Sequence, residues 1–462
     1  MPKLVWRVKL VAELGPGVTT ETEVARIERE EEAGFAELGL RLEEAKRLTA
    51  ALQAEIVTAQ VAAAGERRRR CTACGRPLAG KGHYRAALRS LFGDVPVRVR
   101  RLLACLCQGS AGPKSLAALE RGGGAVTPEL AYVTARYAAL VPFGKVTTLL
   151  SELLPLGGAP NAGTVRNRTL RVGEAVVPPH ASGTATQAVA QVAGPVVVGL
   201  DGGYVRSRHR AAERHLEVAA GKVIDAGGAQ HRFAFPRTGR ATTAEAFRQA
   251  LAAAWVDADT PATVLADGGA GLRRLQRAVL PDATAVLDWW HVAVRFEHAL
   301  QAARGLGAGT TDASFAQEVA RKLDRAKWCL WHGRWTGCRR KLAGLRSRTR
   351  KPGREVAGAG RLQRHVTELL GYLERNQDAL VPYATRHRCG EPISTAFVES
   401  AVNEIVARRM TKRQQMRWSR ATVRPFLDVR TAVLNDTLED AFRRRHPGFR
   451  PANDGAALPA AA

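Results

Sequence analysis

Two stretches constrain this chain more than any others. VVVGLDGGYVRSR (196–208) runs valines into Asp201 and two glycines, and ATVLADGGAGLRRL (262–275) repeats the device at Asp267. Apolar runs of this kind read as strands buried on both faces. A buried strand that reaches a charge needs a counter-charge or an opening to solvent at that point. Around the two runs the patterning alternates in a βββαβαβα order. Strands are expected near 196–201, 214–225, 230–236, 263–267 and 284–288, and helices near 242–256, 271–279 and 291–304. Strands interleaved with helices in this way predict an α/β fold.

The flanking segments are of other kinds. MPKLVWRVKLVAELG alternates Leu4, Trp6, Val8 and Leu10 with Arg7 and Lys9, a strand pattern and not a secretion signal. Residues 19–64 carry Phe35, Leu38, Leu42, Ala45, Leu52 and Ile56 near a 3–4 spacing. That predicts a helix packed on its own domain in preference to a dimer zipper. Two strand-like runs, Tyr84–Leu91 and Val95–Leu103, flank the turn Phe92-Gly93-Asp94, and Pro96 suits an edge strand. Three helical stretches follow over 128–176, then a Pro/Gly-rich linker at 177–195. Residues 312–380 look helical apart from the basic, glycine-rich loop 346–360, and a last helical region covers about 393–445. The tail PANDGAALPAAA is expected to be disordered.

Lys and Arg total 70 against 43 Asp and Glu, a formal charge of +27. Such an excess favours a polyanionic partner, usually nucleic acid, over an acidic protein. No apolar stretch reaches the length of a membrane span, so a cytoplasmic, nucleoid-associated protein is expected.

Four of the seven cysteines bracket the predicted hairpin: Cys71 and Cys74 before it, Cys105 and Cys107 after it. CxxC and CxC pairs on neighbouring turns can present four thiolates to a tetrahedral zinc. Full ligation leaves no open position, so such a zinc would be structural. Arg67 to Arg70, Arg98, Arg100 and Arg101 beside it suggest either a ribbon touching phosphates or a solvated basic face. Cys329, Cys338 and Cys389 lack this spacing and read as ordinary thiols.

GKVTTLLSELLPLGGAPNAGTVRNRTLRVGEAV reads as a helix, a glycine-containing turn and a second helix capped by Thr164. The second helix carries Arg166, Asn167, Arg168 and Arg171, the residue types that read base edges in the major groove. In an RNase H-like fold the first and fourth strands are neighbours, which would bring Asp201 and Asp267 together. Two adjacent carboxylates repel unless a cation neutralises them, and hard oxygen ligands with a phosphate substrate suit Mg²⁺ or Mn²⁺. The best third carboxylate is Glu399, with Asn403 one turn later and a basic run, Lys412, Arg413 and Arg417, able to hold DNA. In LDWWH, Asp288 and His291 at i and i+3 form an accessory pair.

These motifs together resemble the DDE transposases of bacterial insertion sequences, specifically the Kra-type group with Mutator-like relatives. CTACGRP with LFGDVPVRVRR and CLC, FGKVTTLLSELLP, VVVGLDGGYVRSR, VLADGGAGL, LDWWH and FVESAVNEIVARRMTKRQQMRWS carry the resemblance across about 70–420. It implies an RNase H-like core with an all-helical insertion, with Asp201, Asp267 and Glu399 as catalytic metal ligands. LDWWH would be the (C/D)xxH motif, and either Asp267 or Asp288 the second ligand. Expected segments are 1–65 (strand and helix), 66–120 (zinc-ribbon) and 125–180 (helix-turn-helix-like). The core would begin at 195–305, with the insertion at 306–390, a C-terminal core part at 391–446 and a tail at 447–462. The implied activity is two-metal cleavage and joining of double-stranded DNA ends by a homodimer or higher oligomer. The alternatives are an RNase H-like nuclease without joining activity and a domesticated DNA-binding regulator.

Overall fold

The computed structural model describes residues 3–13, 19–30, 34–108, 115–117, 126–158, 160–176, 194–209, 213–306, 313–350, 358–395, 400–411 and 416–451. The chain divides into two compact units, one formed by Met1–Val176 with Thr437–Ala462 and the other by Val177–Asp436. The class is mixed α/β. Among the described residues no helix is long and apolar enough to cross a membrane. The linker over 177–193, the centre of the basic loop (351–357), Glu399, Lys412, Arg413 and the tail from 452 lie outside the described residues.

In the first unit, β1 (Lys3–Glu13) pairs antiparallel with β2 (Thr19–Glu30). The helix predicted from residue 19 therefore begins only at α1 (Leu42–Arg67). Thr19, Thr20, Thr22, Val24 and Ile27 are β-branched residues that favour a pleated strand, and β1 supplies the ladder partner that local spacing does not reveal. Arg29 then ties β2 to α1 through Glu44 Oε1 at 2.7 Å. Phe35 and Leu38, expected on the helical stripe, are 94% and 63% exposed around a 3-10 turn.

The predicted hairpin is β3 (Gly80–Ser90) and β4 (Gly93–Leu103), joined by a two-residue turn. Gly93 takes φ +113° at its exit, a conformation that glycine adopts without strain. Pro96 pairs with Ala87, while the short β5 (Ser115–Ala117) joins the other side of β4 only at Arg101–Leu103, so the proline sits where β4 is an edge. Helices α2 (Pro128–Leu140), α3 (Phe143–Leu153) and α4 (Ala162–Val176) pack together. Helix α4 is capped by Asn161, whose Oδ1 accepts from Thr164 N at 2.8 Å, so Thr164 is not the cap the sequence suggests. The helix Leu438–Arg445 belongs to this unit rather than to the C-terminal part of the core, because Phe442 and Phe449 pack edge-on against Tyr132.

The second unit is built on five strands: β6 (Val196–Arg206), β7 (His215–Ile224), β8 (Gln230–Pro236), β9 (Ala262–Ala266) and β10 (Thr284–Leu287). Their order is β10-β9-β6-β7-β8, with β6, β9 and β10 mutually parallel and β7 antiparallel to both of its neighbours, β6 and β8. Helices α5 (Arg240–Ala252), α6 (Ala270–Val279) and α7 (Trp289–Arg304) fill the predicted places. One face of the sheet is covered by Phe247, Leu251, Leu272 and Leu275 of α5 and α6. On β10, α7 begins a helical layer continued by α8 (Ala313–Trp331), α9 (Trp335–Arg350), α10 (Ala359–Arg375) and α11 (Tyr383–Arg388). Helices α8 to α11 of that layer fall within the stretch 306–390.

After residue 400 the chain forms a π-helix, Asn403–Thr411, and then the helix Arg420–Leu434. Val402 packs on Gly203 of β6, and Arg232 of β8 pairs with Glu404 at 2.8 Å. A Cβ at Gly221, in the middle of β7, would lie 1.9 Å from the Gly199 carbonyl oxygen and 2.6 Å from the Phe233 ring. Gly221→Ala is therefore expected to cost about 3 kcal/mol or more, because the backbone of β6 must move. Denaturant unfolding checks this, and an unchanged midpoint would contradict the packing of β6 on β7.

Candidate metal centre and carboxylate site

The four predicted thiols meet. The ligand sulfurs of Cys71, Cys74, Cys105 and Cys107 all lie within 4.8 Å of one another, and they form the one such metal-ligating group among the described residues. Cys71–Cys107 and Cys74–Cys105 sulfur separations are 3.5 Å each, and all four cysteines are free of disulfides. A tetrahedron of thiolates at about 2.3 Å from zinc has edges of about 3.8 Å, so the cluster fits a structural zinc. The loop is pre-shaped: Cys71 N donates to Arg76 O at 2.8 Å, Gly75 N donates to Cys71 O at 2.9 Å, and Gly75 takes φ +70°. The backbone N–H groups of Cys74 and Ala73 draw the Cys71 thiol down to about 7. The surrounding thiols of Cys74, Cys105 and Cys71 push Cys107 well up. Four thiolates this close require a cation, and zinc would supply it.

Asp201 and Asp267 are placed side by side. The parallel pairing of β6 and β9 ends at Leu200–Ala266, so each aspartate is the next residue on its own chain. Adjacent strands are about 4.8 Å apart. Asp201 does not end its strand, as the sequence suggests. The antiparallel pairing with β7 continues from Asp201–Ala220 to Arg206–His215 after β9 has stopped. Both carboxylates are half-buried and tethered at Oδ1, Asp201 by Gly202 N at 2.7 Å and Asp267 by Gly269 N at 2.8 Å. Tyr372 of α10 donates to the Asp267 carbonyl at 2.8 Å. Gly268 holds the turn at φ +80°, where a Cβ would also strike Leu287 and Asn376.

Asp288 behaves differently. It caps α7, is fully buried, and accepts from Trp290 N at 2.7 Å, His291 Nδ1 at 2.7 Å and the Thr395 hydroxyl. Burial alone would raise its carboxyl, but the hydrogen bonds from His291, Thr395 and Trp290 outweigh it and hold it low. His291 is correspondingly raised, first by its bond to Asp288, against burial, and further by the charges of Asp288, Asp267 and Asp201. The ring is thus fixed by Asp288 and lies within the field of both site aspartates.

Glu399 itself lies outside the described residues. Its neighbour Ser400 accepts from Lys222 Nζ at 3.3 Å, and Lys222 pairs in register with Gly199, two residues before Asp201. Asn403 is half-buried at the start of the π-helix. Of the expected DNA-contacting residues, Asn167 and Arg171 are exposed on α4, Arg166 is half-buried, and Arg417 is exposed. Arg168 instead faces inward: it is buried, and its guanidinium donates to Thr134 Oγ1 of α2 at 3.1 Å. The residue lies on the apolar side of α4 with Val165 and Val172, which composition alone does not distinguish from the exposed side. Arg417 precedes Trp418, whose backbone exchanges bonds with Arg206 O and Arg208 N at 2.8 Å each, extending β6.

Sequence patterning missed Thr395, Tyr372 and Lys222. Thr395 and Tyr372 reach Asp288 and Asp267 from elements remote in the chain, Lys222 ties Ser400 to β7, and nothing in their local spacing marks them. No protein-family model matches this chain, and no curated protein matches it significantly.

Metal analysis of the purified chain is expected to give about one zinc per molecule, lost in Cys74→Ser together with a fall in melting temperature. Melting that is indifferent to both chelator and Cys74→Ser would contradict a structural metal. The Asp288–His291 pair also has a pH signature. The raised His291 stabilises the fold below its ordinary 6.5 and loses that contribution as pH rises through its higher folded value. The lowered Asp288 contributes above its ordinary 3.8 and loses it as pH falls through its lower folded value. The pair's contribution is therefore greatest between about 4 and 6.5. Asp288→Asn should flatten that maximum and lower the His291 pKa in an NMR titration; an unmoved His291 would rule out the pairing.

Proposed function

We propose that this chain is a DNA transposase of the DDE type, in which Asp201, Asp267 and Glu399 hold divalent cations for phosphoryl transfer. The observation that carries the proposal is the adjacency of Asp201 and Asp267 where the β6–β9 pairing ends. The strand order β8-β7-β6-β9-β10, numbered 3-2-1-4-5 by appearance in the sheet, is that of RNase H-like folds and supports the reading. So does the segment leading from Glu399, which is pinned to β7 at Ser400 and laid across Gly203 at Val402.

The donor set suits Mg²⁺ or Mn²⁺: hard carboxylate oxygens, tethered and half-buried, next to solvent. A divalent cation bound there would neutralise the paired carboxylates and favour water or a 3′ hydroxyl as nucleophile. The chain's own contributions are positional. Backbone N–H groups hold the two aspartates, Gly203 lets Val402 approach β6 closely, and Asp288 fixes the ring of His291. Asp288 has its oxygens committed to Trp290, His291 and Thr395, which favours Asp267 as the second ligand.

Binding of double-stranded DNA draws support from the charge of +27 and from exposed Arg206, Arg208 and Arg417 around the outer end of β6. Helices α3 and α4 fit a helix-turn-helix reading in which Asn167 and Arg171 face the groove. The zinc-ribbon and a dimer or higher oligomer bridging two DNA ends complete the proposal.

Asp201→Ala and Asp267→Ala are each expected to abolish Mg²⁺- or Mn²⁺-dependent DNA cleavage while leaving DNA binding largely intact. Full cleavage by either variant would overturn the site. Incubating pre-cut element ends with plasmid separates joining from cutting: cleavage without any joined product would leave a nuclease in place of a transposase.

A further inference from the structure

Beside Asp267 the second unit contains a cavity of 580 Å³ whose wall carries five arginines, Arg273, Arg274, Arg277, Arg295 and Arg375, and Asp267 as its one carboxylate. Three elements supply the arginines: α6, α7 and the end of α10. Asp378 neutralises part of this charge, pairing with Arg273 at 2.5 Å and Arg277 at 2.6 Å. Among the described residues no carboxylate pairs with Arg274, Arg295 or Arg375. Arg295 stacks on the Tyr372 ring at 4.1 Å, which fixes its guanidinium beside the turn that holds Asp267. Arg273 is 6% exposed; its terminal nitrogens are bound by Gln276 and Asp378, while its buried Nε finds no partner. Gly269 and Ala270 bring the N-terminus of α6 to the same wall, and its first backbone N–H groups add positive potential. Guanidiniums lining one cleft give it a positive potential that solvent only partly screens, and their fork geometry suits a phosphate.

We propose that this cavity binds a backbone phosphate of the nucleic-acid strand that enters the Asp201–Asp267 site. The inference rests on the nucleic-acid reading above. It adds that the helices over 313–388 are part of the strand-holding surface, since Arg375 comes from α10. A phosphate seated here lies beside Asp267, so the contact sets the register of the strand relative to the carboxylates.

The test uses the full zinc-loaded chain with fluorescent DNA duplexes and single strands, with no Mg²⁺ or Mn²⁺ added so that no cleavage occurs, over a series of salt concentrations. The double variant Arg274→Ala/Arg375→Ala, both residues exposed and replaceable without disturbing packing, is expected to bind roughly tenfold more weakly. Its plot of log affinity against log salt should be shallower by about one to two units. The lysine versions should recover most of the salt slope. If wild type binds no DNA, the functional reading itself falls. If wild type binds and the double variant matches it in affinity and slope, the cavity proposal falls while the functional reading stands. Arginine-dependent binding of inorganic phosphate or a mononucleotide, with DNA affinity untouched, would make this a small-anion site and overturn the strand assignment.

Discussion

The carboxylate site depends on one mismatch between two strand pairings along β6. Its parallel partner β9 stops at Ala266, whereas its antiparallel partner β7 accompanies it to Arg206. A strand held on both edges has its backbone groups satisfied and its side chains enclosed. Where one partner leaves, a polar side chain can reach solvent without losing the support of the other. Asp201 sits at that transition, and Asp267 is the residue on which the departing strand turns away. The rigidity of Asp201 thus comes from β7 and its accessibility from the end of β9.

Asp288 solves the opposite problem, a carboxylate with no access to water. It is tolerable there because three donors from two places in the chain converge on it: Trp290 N and the ring of His291 in the first turn of α7, and the hydroxyl of Thr395. Its own backbone N–H continues to Ala266 O at 3.0 Å, and Trp289 N reaches Ile393 O at 2.9 Å. A single buried charge therefore joins the end of β9, the start of α7 and the segment leading toward residue 400. Removing it would leave buried donors unpaired, a larger penalty than the bonds are worth individually.

Much of this was legible in the sequence because it is local. The five strands and three helices over 196–304 announce themselves by period, and the Asp267-Gly268-Gly269 turn marks where β9 gives way. The cysteine spacing defined its cluster, since short-range pairs on adjacent turns can converge in few ways. Charge was the poorest guide. Arginine excess implies a basic surface, yet Arg168, Arg409 and Arg430 are buried. Arg409 lies over the Phe426 ring at 4.9 Å, and Arg430 donates to the carbonyls of Glu404 at 2.6 Å and Ile405 at 3.2 Å in the π-helix. A guanidinium looks the same in a composition count whether it meets solvent or caps a carbonyl.

Side-chain pattern was enough to show which segments are strands in the central block, which four thiols belong together, and that Asp201 and Asp267 each follow a run of buried apolar residues. These follow from side-chain period and from spacing, which act over a few residues. Only the tertiary structure decided that residues 19–30 are a strand, that Asp201 lies inside β6, that Asp288 is committed to His291 and Thr395, and that α10 brings Tyr372 and Arg375 to Asp267. Each of those depends on a partner that local side-chain period does not reveal, and Thr395, Tyr372 and Arg375 lie about a hundred residues from the aspartates they serve. A strand needs a ladder, a buried charge needs donors and a cavity needs walls, and the chain supplies all three only once it is folded.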